Sequence, residues 1–235
     1  MSAAITISAR ALAAVDLFVG LPPAALEEVA ACARVRPLVR ESRIFAQGES
    51  AERAHALIDG SVGIFQSGSD GAQVIVRFIG PGETFGTIAL FTDRRYPAEA
   101  RALTDALEVS WSEEQLLRLM GRHAAIAMNV IRIIAERLQE VQERVRELST
   151  QRVEQRIAHA VLRLARQAGH DTVDGTAIEF PLRRKDLAEI SGTTLHTVSR
   201  ILTAWEKAGL LVSDNRHLTL RNPVQIQRIA RDPAS

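Results

Sequence analysis

The sequence holds one cysteine, Cys32, one tyrosine and two tryptophans among 235 residues. With a single thiol, one chain can form no internal disulfide, no thiolate zinc site and no four-cysteine iron–sulfur cluster. It also lacks any apolar run of the ~18–20 residues that a membrane helix needs. The weakly apolar opening over 1–19 is broken by Ser8, Arg10 and Asp16, so neither a spanning helix nor a signal peptide is expected. A cytoplasmic protein with no membrane partner follows as the expectation. Enzyme signatures are missing too: there is no G-x-S-x-G, H-E-x-x-H or P-loop stretch, and no enzyme is expected. What is present is a 46% apolar composition, enough to build a real core in one or two domains.

The net charge of +1 conceals an uneven distribution. Residues 1–150 carry 16 basic and 19 acidic side chains, whereas 151–235 carry 13 and 9. The C-terminal third is the candidate polyanion-binding part, although such a surplus is also common on ordinary surfaces.

Eight of the 14 glycines lie between positions 48 and 86. They separate short apolar or β-branched runs at Val35–Val39, Ile44–Phe45, Ala56–Ile58, Val62–Phe65 and Val74–Phe78, with Leu107–Val109 following later. The stretch Gly68–Gly71 reads as a hairpin loop. Short strands at regular spacing, with no helical segments between them, predict an antiparallel sandwich, roll or barrel.

From Glu113 the period changes, and residues 124–148 contain neither Gly nor Pro. Ala127, Ile131, Ile134, Leu138, Val141, Val145 and Leu148 fall at alternating steps of four and three, a seam of a/d type with charged residues around it. Such a seam needs a partner. Packing on the chain's own β domain is one answer; the unbroken 3.5 period favours the same helix of a second chain, a homodimer.

Beyond a helical run from Val153 to Gln167 and a polar loop at Gly169–Thr176, Leu182–Ile190, Gly192 and Thr194–Ala208 read as helix, tight turn, helix. Leu187, Ile190, Val198, Ile201 and Leu202 would lock the two helices, and Thr193 or Thr194 would cap the second. Leu210–Val212 and His217–Leu220, around a polar tip, read as a two-stranded wing. On the second helix Leu195, His196, Ser199 and Arg200 face away from the apolar positions. An Arg in the major groove can donate two hydrogen bonds to guanine, with Ser or His serving neighbouring base edges. Arg183, Lys185, Thr193, Thr194 and Thr197, near the helix starts, suit phosphate oxygens. A solvated surface face is the competing reading. Only Phe180 and Trp205 could stack on single strands, and Trp205 falls on the core side, so duplex DNA is the expected target.

These segments resemble the Crp/Fnr family of bacterial transcription regulators over nearly the whole chain, in the family's order: LFVGLPPAALEEVAACA, RIFAQGESAERAHALIDGSVGIF, GPGETFGTIALF, the 124–148 helix and LRRKDLAEISGTTLHTVSRIL. The resemblance implies an α+β chain: a cyclic-nucleotide-binding-like, jelly-roll-type antiparallel β-roll over 1–112, a dimerisation helix over 113–150, and a winged helix-turn-helix over 151–235 that binds palindromic DNA. RNA polymerase is an implied partner. His196, Ser199 and Arg200 take the family's base-reading positions; a Glu is usual where His196 stands.

The resemblance also locates an effector pocket at Glu83, Thr84, Phe85, Gly86, Thr87, Arg95, Tyr96 and Pro97. The family's cAMP-binding members clamp the cyclic phosphate with an Arg–Ser or Arg–Thr pair and hold the ribose with a Glu; here Tyr96–Pro97 and Thr87 stand at those places. A buried anion without its cation is costly, which argues against cAMP, although Arg94 and Arg95 lie close by. The departure is similar to the nitric-oxide- and redox-responsive branches without a cluster, some of which use haem. The axial ligands on offer are His55, His123, Cys32 and Met120, then His159 and His170, none with a diagnostic spacing. His55 reads as an exposed turn residue and Cys32 as a buried small one. The expected protein is a homodimeric regulator sensing a signal in the roll, haem with nitric oxide being one candidate, with a cAMP-type cyclic-nucleotide-responsive regulator or a ligand-free regulator controlled by abundance as the alternatives.

Overall fold

Two α-helices, with a 3-10 turn over Asp16–Phe18 between them, precede the first strand in the computed structural model, which describes residues 6–68 and 73–231. Helix α1 spans Ala9–Leu12 and α2 spans Pro23–Cys32, where Pro23 at the first position supplies a helical φ at no cost in hydrogen bonds. Strands β1 (Arg34–Leu38), β2 (Arg43–Phe45), β3 (Arg53–Asp59), β4 (Val62–Ser67), β5 (Gln73–Ile79), β6 (Thr84–Phe85), β7 (Glu99–Ala102) and β8 (Ala106–Ser112) follow. One antiparallel sheet has the order β1-β8-β3-β6, with Ala56 opposite Val109; in a second, β7 lies between β2 and β4. The expected loop at Gly68–Gly71 falls, beyond Gly68, outside the described residues. The β region is not free of helix: a 3-10 turn over Thr87–Phe91 follows Gly86.

The segment 113–150, expected as one helix, is two. Ser112 caps α3 (Glu113–Arg122) in a reciprocal pair with Gln115, and the backbone leaves helical angles at His123 before α4 (Ala124–Thr150) begins. Ile126 and Val130 of α4 are buried in the core of the N-terminal part, and Asn129 Nδ2 donates to the carbonyls of Leu17 and Val19. On the other side Ile131, Ile134, Leu138, Val141, Val145 and Leu148 are exposed, with Met128 beside them, while Ala127 is half-buried. Along its first half, α4 thus carries an apolar stripe against its own domain and a separate one facing outward.

The chain forms two compact units, one from the residues up to Ser67 with Ile79–Gln139, the other from Gly68–Phe78 with the chain from Glu140. The second contains α5 (Val153–Ala168), β9 (Gly169–Thr172), β10 (Gly175–Ile178), α6 (Arg184–Ser191), α7 (Leu195–Lys207), β11 (Leu211–Asp214), β12 (His217–Leu220) and α8 (Pro223–Arg231). The expected polar loop at 169–176 is a hairpin instead. It is recruited by the wing: the sheet order is β11-β12-β10-β9, with Thr176 opposite Leu220, so neighbouring backbone overrides a polar sequence.

Candidate DNA-reading face and sensor-domain interior

Gly192 ends α6 in the left-handed conformation, φ +62° and ψ +48°, which permits an abrupt turn into α7. Thr194, not Thr193, caps α7: its hydroxyl accepts from Thr197 N–H at 3.2 Å. Val198, Ile201, Leu202 and Trp205 are buried, and Trp205 Nε1 donates to Glu154 at 2.9 Å. Leu195, His196 and Arg200 are exposed and Ser199 half-exposed along the opposite side. The expected base-reading residues therefore share one accessible face.

Among the expected phosphate contacts, Thr193, Thr194 and Thr197 cluster at the start of α7, and Lys185 on α6 is exposed, 3.7 Å from Glu189. Arg183 is already engaged: its guanidinium and its backbone N–H both bond Asp186, so it caps α6. Sequence reasoning passed over a cleft of about 270 Å³ at the wing, where Arg183, Arg184, Arg216 and His217 surround Leu187 and Leu202. The pairs Arg183–Arg184 and Arg216–His217 are far apart in the sequence, and only the wing's turn brings the two together.

Inside the N-terminal unit, Tyr96 is buried and stacks on Phe45, with ring centroids 3.7 Å apart. Its hydroxyl donates to the Arg53 carbonyl at 3.0 Å and lies 3.1 Å from His55 Nε2. His55 is not the exposed turn residue expected. It sits on β3, 5% exposed, stacked on Phe85, with Nδ1 2.5 Å from Glu108 Oε1 on the neighbouring strand. Arg36 Nε donates to the other Glu108 oxygen at 2.7 Å. Burial alone would raise the Glu108 carboxyl, but the hydrogen bond and charge of His55, followed by Arg36, outweigh it and hold the carboxyl below its ordinary value. A β-carbon on Gly86 would come within 3.0–3.3 Å of His55, Tyr96 and Phe45, so the rings close directly onto this backbone.

Around them, Thr84 and Phe85 are buried, with the Thr84 hydroxyl bonded to Asp16; Glu83 is half-buried and Thr87 buried, its Oγ1 unpartnered. Arg95 and Pro97 are exposed, and Arg95 donates to the Gly48 carbonyl at 2.9 Å. The eight expected pocket residues therefore do not all converge: Arg95 and Pro97 point elsewhere, and Tyr96 fills the interior.

The other expected ligand candidates are dispersed. Cys32 is half-buried, contrary to expectation, with Arg118 3.5 Å from its sulfur; Met120 packs partly buried against the core. His123 approaches Glu28 at 3.2 Å, His159 lies 3.8 Å from Glu147, and His170 is exposed on β9. Among the described residues no group of three or more His, Cys, Asp or Glu is placed to hold a metal, and no helix is long and apolar enough to cross a membrane.

Residues 35–123 match the cyclic nucleotide-binding domain family and residues 155–229 the Crp-like helix-turn-helix domain. The chain is 28% identical over 214 residues to a cyclic AMP receptor protein of Thermus thermophilus, covering 91% of this chain and 96% of that one. It is 29% identical over 203 residues to the nitrogen fixation regulation protein FixK of Azorhizobium caulinodans, covering 86% and 81%. Among solved structures, FixK2 from Bradyrhizobium japonicum superposes with a TM-score of 0.73 at 25% identity, covering 86% of this chain and 99% of that one.

The chain belongs to the Crp/Fnr family. It is a DNA-binding transcription regulator of that type, built as the family is from antiparallel β-sheets, a long helix and a C-terminal helix-turn-helix. The rings of Phe45, His55, Phe85 and Tyr96 pack on one another, and among the pocket residues Arg95, the nearest cation in the sequence, is bonded to Gly48. At His55 both ring nitrogens lie within hydrogen-bond distance of protein partners, Glu108 and Tyr96.

Proposed function

We propose that two copies of this Crp/Fnr regulator pair through the α4 stripe and read a palindromic duplex operator in the cytoplasm, with one α7 in each major groove. Arg200 would read a guanine, with Ser199 and His196 on adjacent base edges. Thr193, Thr194, Thr197 and Lys185, with Arg183, Arg216 and His217 at the wing cleft, would position the protein on phosphates without specifying sequence. The observation carrying this reading is the exposed α7 face opposite a fully buried one. RNA polymerase is the partner the family's regulators imply.

The roll, in the same proposal, is held closed by its own Tyr96 and Phe45 rather than by cAMP, and DNA occupancy follows protein abundance or a signal other than a cyclic nucleotide. Haem binding, with His55, His123, His159 and His170 as the ligands to test by substitution, is the route to a gas response. Titration calorimetry with cAMP, and absorption spectra with haem before and after nitric oxide, test this half. Absence of heat from cAMP supports it; saturable binding at one site per chain overturns it, and a Soret band that shifts with the gas identifies a haem sensor.

A further inference from the structure

Every carbonyl from Leu187 to Gly192, around the turn that launches α7, has a donor. Leu187 accepts from Ser191 Oγ at 2.6 Å, Ala188 from Thr193 N–H at 2.9 Å and Glu189 from Gly192 N–H at 3.3 Å, all from within the turn. The last three are served from outside it. Ile190 accepts from Arg144 at 2.7 Å, Ser191 from Arg156 Nε at 2.9 Å and Gly192 from another arm of Arg156 at 3.0 Å. The third arm of Arg156 reaches the Gln151 carbonyl at 3.1 Å, in the elbow between α4 and α5. One planar guanidinium therefore bonds the elbow and the turn together, and a second, carried by α4, bonds the residue just before.

We propose that Arg144 and Arg156 are positioning residues for DNA reading: they fix the turn and so set where α7 presents His196, Ser199 and Arg200. The inference rests on the reading of α7 as the DNA-reading helix. The carbonyl end of α6 carries partial negative charge, which two cations complement. Hydrogen bonds with one charged partner are among the stronger ones, and these lie on the least self-supporting part of the motif. Burial, and secondarily Arg163, lowers the Arg144 pKa while Glu147 raises it. Neither arginine lies on the face offered to DNA, so their effect on DNA passes through the turn.

A purely structural cap and a positioning device differ in what they do to selectivity. The wild-type full-length protein is used to select a duplex from a random-sequence pool; affinities for that duplex and a scrambled one are then measured against salt for Arg144→Ala, Arg156→Ala and Arg156→Lys, well below their melting temperatures. The expected result is a roughly tenfold or larger loss of affinity for the selected duplex in both alanine variants, the scale of one charge-assisted hydrogen bond. The scrambled duplex should hold within about twofold with an unchanged salt slope, because no phosphate contact is removed. Arg156→Lys keeps the charge but not the fork, so it should recover melting temperature without recovering selectivity. Affinities that fall together, or an unchanged ratio, overturn the proposal; if Arg156→Ala does not fold, the other two variants decide. A wild-type protein that enriches no duplex overturns the reading of α7 itself.

Discussion

Leu148 occupies the space that a side chain at Gly192 would need: a β-carbon there would lie 2.7 Å from Leu148 Cδ2. Leu148 is also the last residue of the exposed apolar stripe on α4, so the stripe and the helix-turn-helix corner share one side chain. Gly192→Ala meets both this clash and a backbone at φ +62°, and is expected to cost about 1–3 kcal/mol in chemical denaturation. Because Leu148 Cδ2 is the end of a flexible side chain, 45% exposed, it can give way, so adding Leu148→Ala should recover little and leave the backbone part. Full recovery would contradict a need for glycine at that angle.

The α4 stripe predicts a dimer whose loss leaves the fold standing. Leu138 is 57% exposed in the single chain, so Leu138→Glu removes little intramolecular packing while placing a charge in the seam. Sedimentation should show the wild-type chain as a dimer and the variant as a monomer, with circular dichroism unchanged. A variant that stays dimeric would place the dimer contact elsewhere.

Glu108 predicts an acid-sensitive N-terminal unit. Its carboxyl is held below the ordinary value, so the stabilisation it contributes is complete above the unfolded value of about 4.3 and is lost as pH falls through the lower folded value. Glu108→Ala leaves His55 and Arg36 without their shared partner and should cost about 3–5 kcal/mol. Glu108→Gln should be destabilised at pH 7 yet show a shallower decline in melting temperature on acidification. An identical acid slope in the wild type and Glu108→Gln would remove Glu108 from the account.

Much of this arrangement is legible before any coordinates, and what is not has a common physical cause. The 3.5-residue period of the stripe and the buried-versus-free faces of α7 are local patterns, set by residues three and four apart. The His55–Glu108 pair spans 53 positions and appears only once β3 and β8 are adjacent. The same holds for Tyr96, whose ring enters the roll because Phe45, His55 and Phe85 meet there, and for Arg156, which reads as an ordinary charge on α5 until the turn folds against it. The hairpin at 169–178 was hidden by its polar composition, since its pairing comes from the wing.

Selection of duplexes from a random pool by the wild-type protein and by Arg200→Ala tests the central claim most directly. The wild type should enrich two inverted half-sites with centres about 34 Å, or 10–10.5 base pairs, apart. Arg200→Ala should retain weak, salt-sensitive binding but lose preference at one position in each half-site, worth about 1–3 kcal/mol. An identical selected motif from both proteins, or no inverted repeat at all, would contradict the assignment of α7 and Arg200 as the DNA reader.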